Sequence, residues 1–472
     1  MNKLMYTLFK TPRGNYVFDG NHNKIFKIDE NMFLSLKNIR DNIASKEDME
    51  NLYELQKNGL CEDSYVQVIK HPEEALLPAY LDNGLGSIYL QVTQQCNLRC
   101  GYCAYSGLYE NRVHTSKNMD TPLAKKAIDF FFQHSNSSEK VFVGFYGGEP
   151  LLRIDLIKKI VEYINTKYSN RNVVYPITTN GTLLNDNIVN FLANNNFNLT
   201  ISLDGPAQYH DINRKFKNGM GSHKLIMENL RKIKINYPQF YKKITFNSVA
   251  APNIIYEDLE GFFSKNELTK DNIYTWSTLA DTYIDEPVKY PPNYFALDDY
   301  QKFIGMLWSI GKIELDSIPI SALRWKESVV ERYRELNNIG KLQKEGHPGG
   351  PCIPGKNRLF IDIEGNFYPC EKVSEKSIIM RIGNIDNGID IEKVRNLINI
   401  AKCTEEKCKK CWCFANCTQC AANSDDLSSF PSAQKRLERC ETVKLQTLEF
   451  LKDICFLKEN NFDFQERILK NE

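Results

Sequence analysis

This chain lacks an excess of charge of either sign. Its 472 residues carry 60 Lys and Arg against 59 Asp and Glu, a net charge of +1. That balance excludes a nucleic-acid or membrane surface built on bulk charge. Long apolar runs are missing too, and no stretch approaches the roughly 18 residues of a membrane span. The opening MNKLMYTLFKTPRGNY has no apolar core of the signal-peptide kind, so the expected location is the cytoplasm. Internal repeats and low-complexity tracts are also absent. What the chain has in quantity is cysteine, 14 in all. In a cytosolic protein that number points to metal or catalysis rather than to disulfides. Three cysteines lie between 96 and 103, nine between 352 and 440, and Cys61 and Cys455 stand apart as expected small core residues.

The chain is long enough for two to four domains. Residues 1–75 read as a small unit of strands followed by helices, suggesting a winged-helix-like module. NYVFDG and NKIFKID are its strands, and ENMFLSLKNIRDNI and KEDMENLYELQKNGL its helices. Residues 76–86 read as a linker. From 87 to 340, strand-like segments (SIYLQVT, KVFVGFYGGE, VVYPITTNG, FNLTISLDG, KITFNSVA) alternate with amphipathic ones. This alternation predicts a parallel sheet covered by helices, with ligands at the strands' C-terminal ends. Residues 341–472 lose the alternation until a last helix, VKLQTLEFLKDICFLKEN, so bound metal is the expected source of order there. GMGSHK at 219–224 lacks the third glycine of a phosphate loop and reads as an ordinary loop.

CNLRCGYC places Cys96, Cys100 and Cys103 on one loop directly after a predicted strand. Three thiolates on one loop can hold three corners of a cubane iron–sulfur cluster and leave one iron open. A closed zinc site needs a fourth ligand, for which His114 is the nearest nitrogen, so both readings stand at this point. The Cys-x3-Cys-x2-Cys spacing, with Tyr102 before the last cysteine, resembles the radical S-adenosylmethionine (SAM) superfamily. GGEP (147–150), TTNGT (178–182) and ISLDGP (201–206) follow at matching strand ends, and HDINR (210–214) resembles the segment that commonly comes next in that family. The resemblance implies a partial (β/α)6 barrel and a SAM-cleaving 4Fe–4S cluster on Cys96, Cys100 and Cys103. It also implies SAM contacts from Tyr102, Gly147, Gly148, Glu149, Asn180, Ser202, Asp204 and Arg214. In that reading Glu149 accepts from SAM's ammonium, the two glycines allow close backbone approach, Asn180, Ser202 and Asp204 meet the ribose, and Arg214 meets the carboxylate.

The C-terminal region is similar to the SPASM extension of such enzymes, which carries two auxiliary 4Fe–4S clusters. Its last cysteine spacing departs from the usual x3, being x2 between Cys417 and Cys420. The resemblance assigns Cys352, Cys370 and Cys420 to auxiliary cluster I, which has three matched thiolates and so a possible open iron. It assigns Cys408, Cys411, Cys417 and Cys440 to auxiliary cluster II. Cys403 and Cys413 stand open between ligand and bystander. Glu371, next to Cys370, stands where sulfatase-maturing relatives have an aspartate taken as the base.

The whole layout, including CGYCAYSGLYENRVH, looks most like maturases that crosslink cysteine-rich peptides made on the ribosome. The implied function is thioether formation, from cysteine sulfur to carbon, giving sactipeptides or ranthipeptides. The implied leader-recognition element is residues 1–75, with NKIFKID as the strand to which the leader adds. The implied partners are a precursor peptide with a leader and a reductant such as flavodoxin or ferredoxin, with no nucleic acid and no membrane. The alternatives are formylglycine formation in a sulfatase and, in another class, a non-catalytic zinc-stabilised peptide-binding protein.

Overall fold

In the computed structural model, residues 5–107, 109, 112–279, 282–284, 288–314 and 318–465 are described. Its centre is a ten-stranded mixed sheet. Six strands, Ser87–Thr93, Lys140–Gly147, Asn172–Thr179, Phe197–Ser202, Thr245–Val249 and Tyr274–Ser277, are parallel and lie side by side in chain order. Helices Thr121–Gln133, Ile154–Lys167, Asp186–Asn194, His223–Asn236 and Tyr256–Lys265 follow the first five. The last of the six strands, Tyr274–Ser277, comes from a short polar segment with no clear strand signal.

Parallel strands covered on both faces usually read as continuous apolar runs. These alternate. On the helix side, Ile88, Leu90, Val143, Phe145, Ile177, Leu199, Ile201, Phe246 and Tyr274 are all buried. Pairing register puts Tyr89 beside Gly144, Gln91 beside Tyr146, Thr178 beside Thr200, Ser202 beside Asn247, and Asn247 beside Thr275 on the other face. That inner face is polar and partly open: Thr178 and Thr275 are exposed, and Thr200 and Asn247 half-buried. One face packs the core, and the other lines a polar lumen. Gly144 leaves room within it, since a Cβ there would lie 2.4 Å from the Tyr89 ring.

Leu359–Ile361 adds in parallel to the free side of Ser87–Thr93, and Asn366–Tyr368, Gly383–Asn384 and Gly388–Ile389 continue the sheet antiparallel. The cysteine-rich region is thus stitched to the first barrel strand. Residues 76–86 are not the expected linker. They hold helix Leu77–Asn83, and Leu77, Leu81 and Leu85 are buried in the main core.

At the N-terminus, Tyr6–Thr11, Gly14–Asp19 and Lys24–Ile28 form an antiparallel sheet, followed by helices Glu30–Arg40 and Lys46–Lys57. Asp29 caps the first helix, and a Ser45–Asp48 capping box starts the second. One sheet face packs on these helices through Tyr6, Leu8, Val17 and Leu36, where Cys61 is also buried. The other face, Phe9, Tyr16 and Phe18, joins Trp325, Val329, Leu451 and Cys455 of the C-terminal helices. This unit therefore has its own core and yet is welded to the rest of the chain. Lys24–Ile28 is one of the two outer strands of its sheet, Tyr6–Thr11 being the other. Among the described residues, no helix is long and apolar enough to cross a membrane.

Candidate functional site

The first cysteine loop leaves the end of Ser87–Thr93 and passes over the Gly147–Gly148 turn. A Cβ on Gly148 would lie 2.1 Å from the Gln95 carbonyl oxygen, and one on Gly147, at φ +139°, 2.0 Å from the Thr93 carbonyl oxygen. The close approach these glycines permit is therefore to the cysteine loop itself. Gly148→Ala is expected to displace that loop, at a cost of about 1–3 kcal/mol. Lower iron content at unchanged secondary structure would register it; full iron retention would count against this account.

The far side of the loop is pinned by backbone. Arg99 N–H donates to Lys215 O (2.7 Å) and Gly101 N–H to Asn213 O (3.1 Å). Burial, then the Glu149 carboxylate, pushes the Cys96 thiol up to about 12, with Cys100 and Cys103 adding to the shift. The three thiols thus share one electrostatic site. Thiols that resist ionisation alone are suited to a group whose metal deprotonates them. Residues 108, 110 and 111 of the segment after the loop lie outside the described residues.

Two expected SAM contacts have other partners. The Glu149 carboxylate is buried and accepts from Leu151 N–H (3.0 Å), Thr179 Oγ1 (2.7 Å) and Asn180 N–H (2.8 Å). It ties the second and third barrel strands together through both oxygens, and Oε2, with one donor among the described residues, keeps acceptor capacity. Arg214 does not offer an open guanidinium to a carboxylate. Its Nε and Nη2 grip both oxygens of Asp204, at 2.8 and 3.1 Å. Asp204 also accepts from Tyr102 Oη and from Val249 N–H (2.9 Å), so its carboxylate is saturated as well. The chain itself supplies these partners because all three residues are buried. Burial and His210's neighbours keep that ring neutral: burial first, then Arg214 and His223, hold its pKa well below the ordinary value. Its Nδ1 accepts from Asp204 N–H, its Nε2 donates to Ser222 Oγ, and Ser222 donates to Arg214 O. Asn180 bridges toward the loop, donating to Asn97 Oδ1 (2.8 Å). Ser202 faces the lumen beside Asn247 with its hydroxyl unpartnered among the described residues.

The lumen also holds a polar network from distant parts of the chain. Gln91 Nε2 donates to Tyr105 Oη and to Glu375 Oε1, each at 2.7 Å, and Gln94 Nε2 donates to Glu375 Oε2 (3.2 Å). Buried Arg112 pairs with Glu375 (3.0 Å) and donates to Val373 O. Glu371 is buried nearby, with Arg358 donating to its Oε1 while Oε2 has no partner among the described residues. Arg358 in turn stacks on the Tyr89 ring, 4.2 Å from its centroid. Glu371 is close enough to raise the Tyr146 phenol, after burial, together with Cys103 and Glu375. Gln91, Arg112, Arg358 and Glu375 carry no motif, so nothing in the sequence singled them out.

In the second cysteine region, a cavity of about 750 Å³ is lined by Cys408, Cys411, Cys417 and Cys440. Arg436 also lines it, almost fully buried, and its Nε and Nη2 have no partner among the described residues. A buried cation without an anion is costly unless the working protein supplies one. Metal-bound thiolates would do so, and the donor set fits an iron–sulfur cluster. Burial first, then the Glu371 carboxylate, pushes the Cys370 thiol up to about 11, and Cys420 lies within electrostatic reach of it. Cys352 is exposed in the loop before Leu359–Ile361. Cys413 lines the cavity but is buried, with its sulfur 3.2 Å from Thr447 Oγ1. Thr447 already donates to Val443 O, so the Cys413 S–H is the donor in that contact.

Residues 90–265 match the model of the Radical SAM superfamily. The chain is 27% identical over 377 residues to a cysteine-type anaerobic sulfatase-maturating enzyme of Clostridium novyi, covering 76% of this chain and 93% of that one. It is 41% identical over 140 residues to an uncharacterized protein of Methanocaldococcus jannaschii, covering 30% of this chain and 46% of that one, less than half its length. A solved structure of native anSMEcpe with bound AdoMet and Cp18Cys peptide shares the fold, with TM-score 0.55 and 21% identity over 79% of this chain and 98% of that one. Residues 90–265 thus form a Radical SAM domain, with its cysteine loop at the sheet's C-terminal edge above a polar lumen, in a chain similar over most of its length to an anaerobic sulfatase-maturating enzyme.

Proposed function

We propose that this enzyme matures a cysteine-rich precursor peptide by joining cysteine sulfur to carbon. The observation that carries this reading is the N-terminal sheet, whose outer strand Lys24–Ile28 offers backbone to a further strand. A leader paired there would be held by main-chain hydrogen bonds, leaving the core peptide free to enter the lumen. In this reading residues 1–75 are the recognition module, 87–340 the barrel and 341–472 the auxiliary-cluster domain.

SAM and a 4Fe–4S cluster on Cys96, Cys100 and Cys103 supply, when bound, one-electron cleavage and hydrogen-atom abstraction. Cys408, Cys411, Cys417 and Cys440 would hold one auxiliary cluster, and Cys352, Cys370 and Cys420 the other. The chain's own residues do the rest. The Gly147–Gly148 turn and the Arg99 and Gly101 hydrogen bonds fix the cysteine loop. Tyr102, Asp204 and Arg214 lock it to the fourth strand. Ser202 and Asn180 would meet the ribose of SAM. Glu371 Oε2 accepts the proton that the substrate thiol gives up, while Arg358 holds the other oxygen.

The test is mass spectrometry of a candidate precursor after anaerobic turnover. A thioether retains sulfur, loses two hydrogens per link and leaves no alkylatable cysteine. A product that has lost its sulfur would instead support formylglycine formation, the second reading, which the similarity to sulfatase maturases favours. Glu371→Gln is expected to lower turnover by about 10²–10⁴-fold, the usual worth of a general base. Full turnover in that variant would remove Glu371 from the mechanism.

A further inference from the structure

Arg436 is only 1% exposed, yet among the described residues its side chain makes a single hydrogen bond, from Nη1 to Ser424 Oγ (3.3 Å). Its Nε and Nη2 are buried and unpartnered among the described residues. Among the described residues no carboxylate pairs with it. The two glutamates on the same cavity, Glu406 and Glu441, are each held by a lysine, Lys409 and Lys444, at 2.8 Å. What does share the cavity with Arg436 is the set Cys408, Cys411, Cys417 and Cys440. Cys440 lies one helical turn beyond it, its sulfur 3.9 Å from the Arg436 carbonyl oxygen. Helix Ala433–Glu438, capped by Ser432, holds the side chain in place.

An unpaired guanidinium at such depth costs several kcal/mol. Four metal-bound thiolates are deprotonated outright and turn that cost into attraction. We propose that Arg436 is the built-in counter-cation of the cluster held by Cys408, Cys411, Cys417 and Cys440, and that it raises that cluster's reduction potential. The inference rests on the auxiliary-cluster reading above. A fixed positive charge stabilises the state with one more electron, and N–H donors aimed at sulfur act in the same direction. Forming a thioether from a thiol and a C–H bond releases one hydrogen atom to the SAM-derived radical, one proton to a base and one electron. Arg436 makes this cluster the acceptor for that electron.

The experiment is a redox titration followed by electron paramagnetic resonance. It uses full-length protein in which Cys96, Cys100 and Cys103 are alanine, so that only auxiliary clusters report. The signal of interest is the one lost in Cys440→Ser. Arg436→Met is expected to lower the reduced-to-oxidised ratio at a fixed potential by at least about tenfold, a shift of about 59 mV for one electron. Arg436→Lys should keep most of the wild-type value. If Arg436→Met loses the cluster while Arg436→Lys keeps it, the charge requirement is met and the proposal stands. An unchanged potential in Arg436→Met overturns it, as does loss of the cluster in both variants, which would mark the guanidinium as a packing element. Equal iron in wild type and Cys440→Ser would sink the auxiliary-cluster reading itself, a result distinct from an unchanged potential.

Discussion

Asp204→Ala is expected to destabilise the protein by about 3–5 kcal/mol, the cost of stripping one partner from a buried ion pair. The variant leaves the Arg214 guanidinium inside the protein with its Nε and Nη2 unpaired. It also orphans the Tyr102 hydroxyl and the Val249 N–H. Tyr102 sits between Cys100 and Cys103, so loss of its anchor frees the cysteine loop. The urea midpoint should fall, and iron at the first cluster should fall with it. Replacing both partners, Asp204→Leu with Arg214→Met, should recover part of the lost stability, because no charge is then stranded. Iron should not recover, since Tyr102 still lacks its acceptor. A double variant no more stable than Asp204→Ala would refute the ion-pair account.

Much of this site could be read from the chain, but roles were harder to read than places. The motif segments GGEP, TTNGT and SLDGP lie at or just beyond the ends of neighbouring parallel strands because each follows a short strand-like run, and HDINR lies on the short helix Ala207–Asn213 that follows the last of them. What the spacing did not reveal is that Glu149 and Asp204 accept hydrogen bonds from within, since that depends on which donors the fold brings near. The network of Gln91, Arg112 and Glu375 joins residues up to 284 positions apart, and isolated polar residues carry no periodic signal. Helix Leu77–Asn83 was legible in principle. Leu77, Leu81 and Leu85 recur every four residues, and Pro78 stands in the first turn, where proline is accepted. Strand Tyr6–Thr11 lacks a clean alternation, since its first four residues are buried and its sheet packs on both faces. Of the 412–416 loop only Cys413 drew notice in the sequence, although Trp412 and Asn416 carry contacts that join the cysteine region to the N-terminal unit.

Those contacts set the last expectation: loss of metal at Cys411 and Cys417 should loosen the N-terminal sheet. The two cysteines bracket Trp412 and Asn416 on a loop with little regular structure. Trp412 presses its backbone on Gly20, where an added Cβ would lie 2.5 Å from its carbonyl oxygen, and its ring packs edge-on to buried Phe18 at 6.0 Å. Asn416 Nδ2 donates to Asn23 Oδ1 at 2.7 Å, just before the outer strand Lys24–Ile28. Tyr6, Thr7, Ile39, Arg40 and Asn42 of the same unit line the cysteine cavity directly. A loop this short holds its shape only while both ends are tied, and metal binding is what ties them. In Cys411→Ala with Cys417→Ala, amide exchange over residues 20–28 should accelerate by at least about tenfold, equivalent to about 1.4 kcal/mol of lost local stability. The Phe9 and Tyr16 contacts with the C-terminal helices remain, so strands Tyr6–Thr11 and Gly14–Asp19 should stay protected. Peptide affinity should fall with the exchange change if the outer strand is the docking edge. Unaltered exchange at 20–28 in an iron-depleted variant would show that the recognition unit and the cluster are independent, whereas acceleration confined to that strand ties substrate capture to cluster loading.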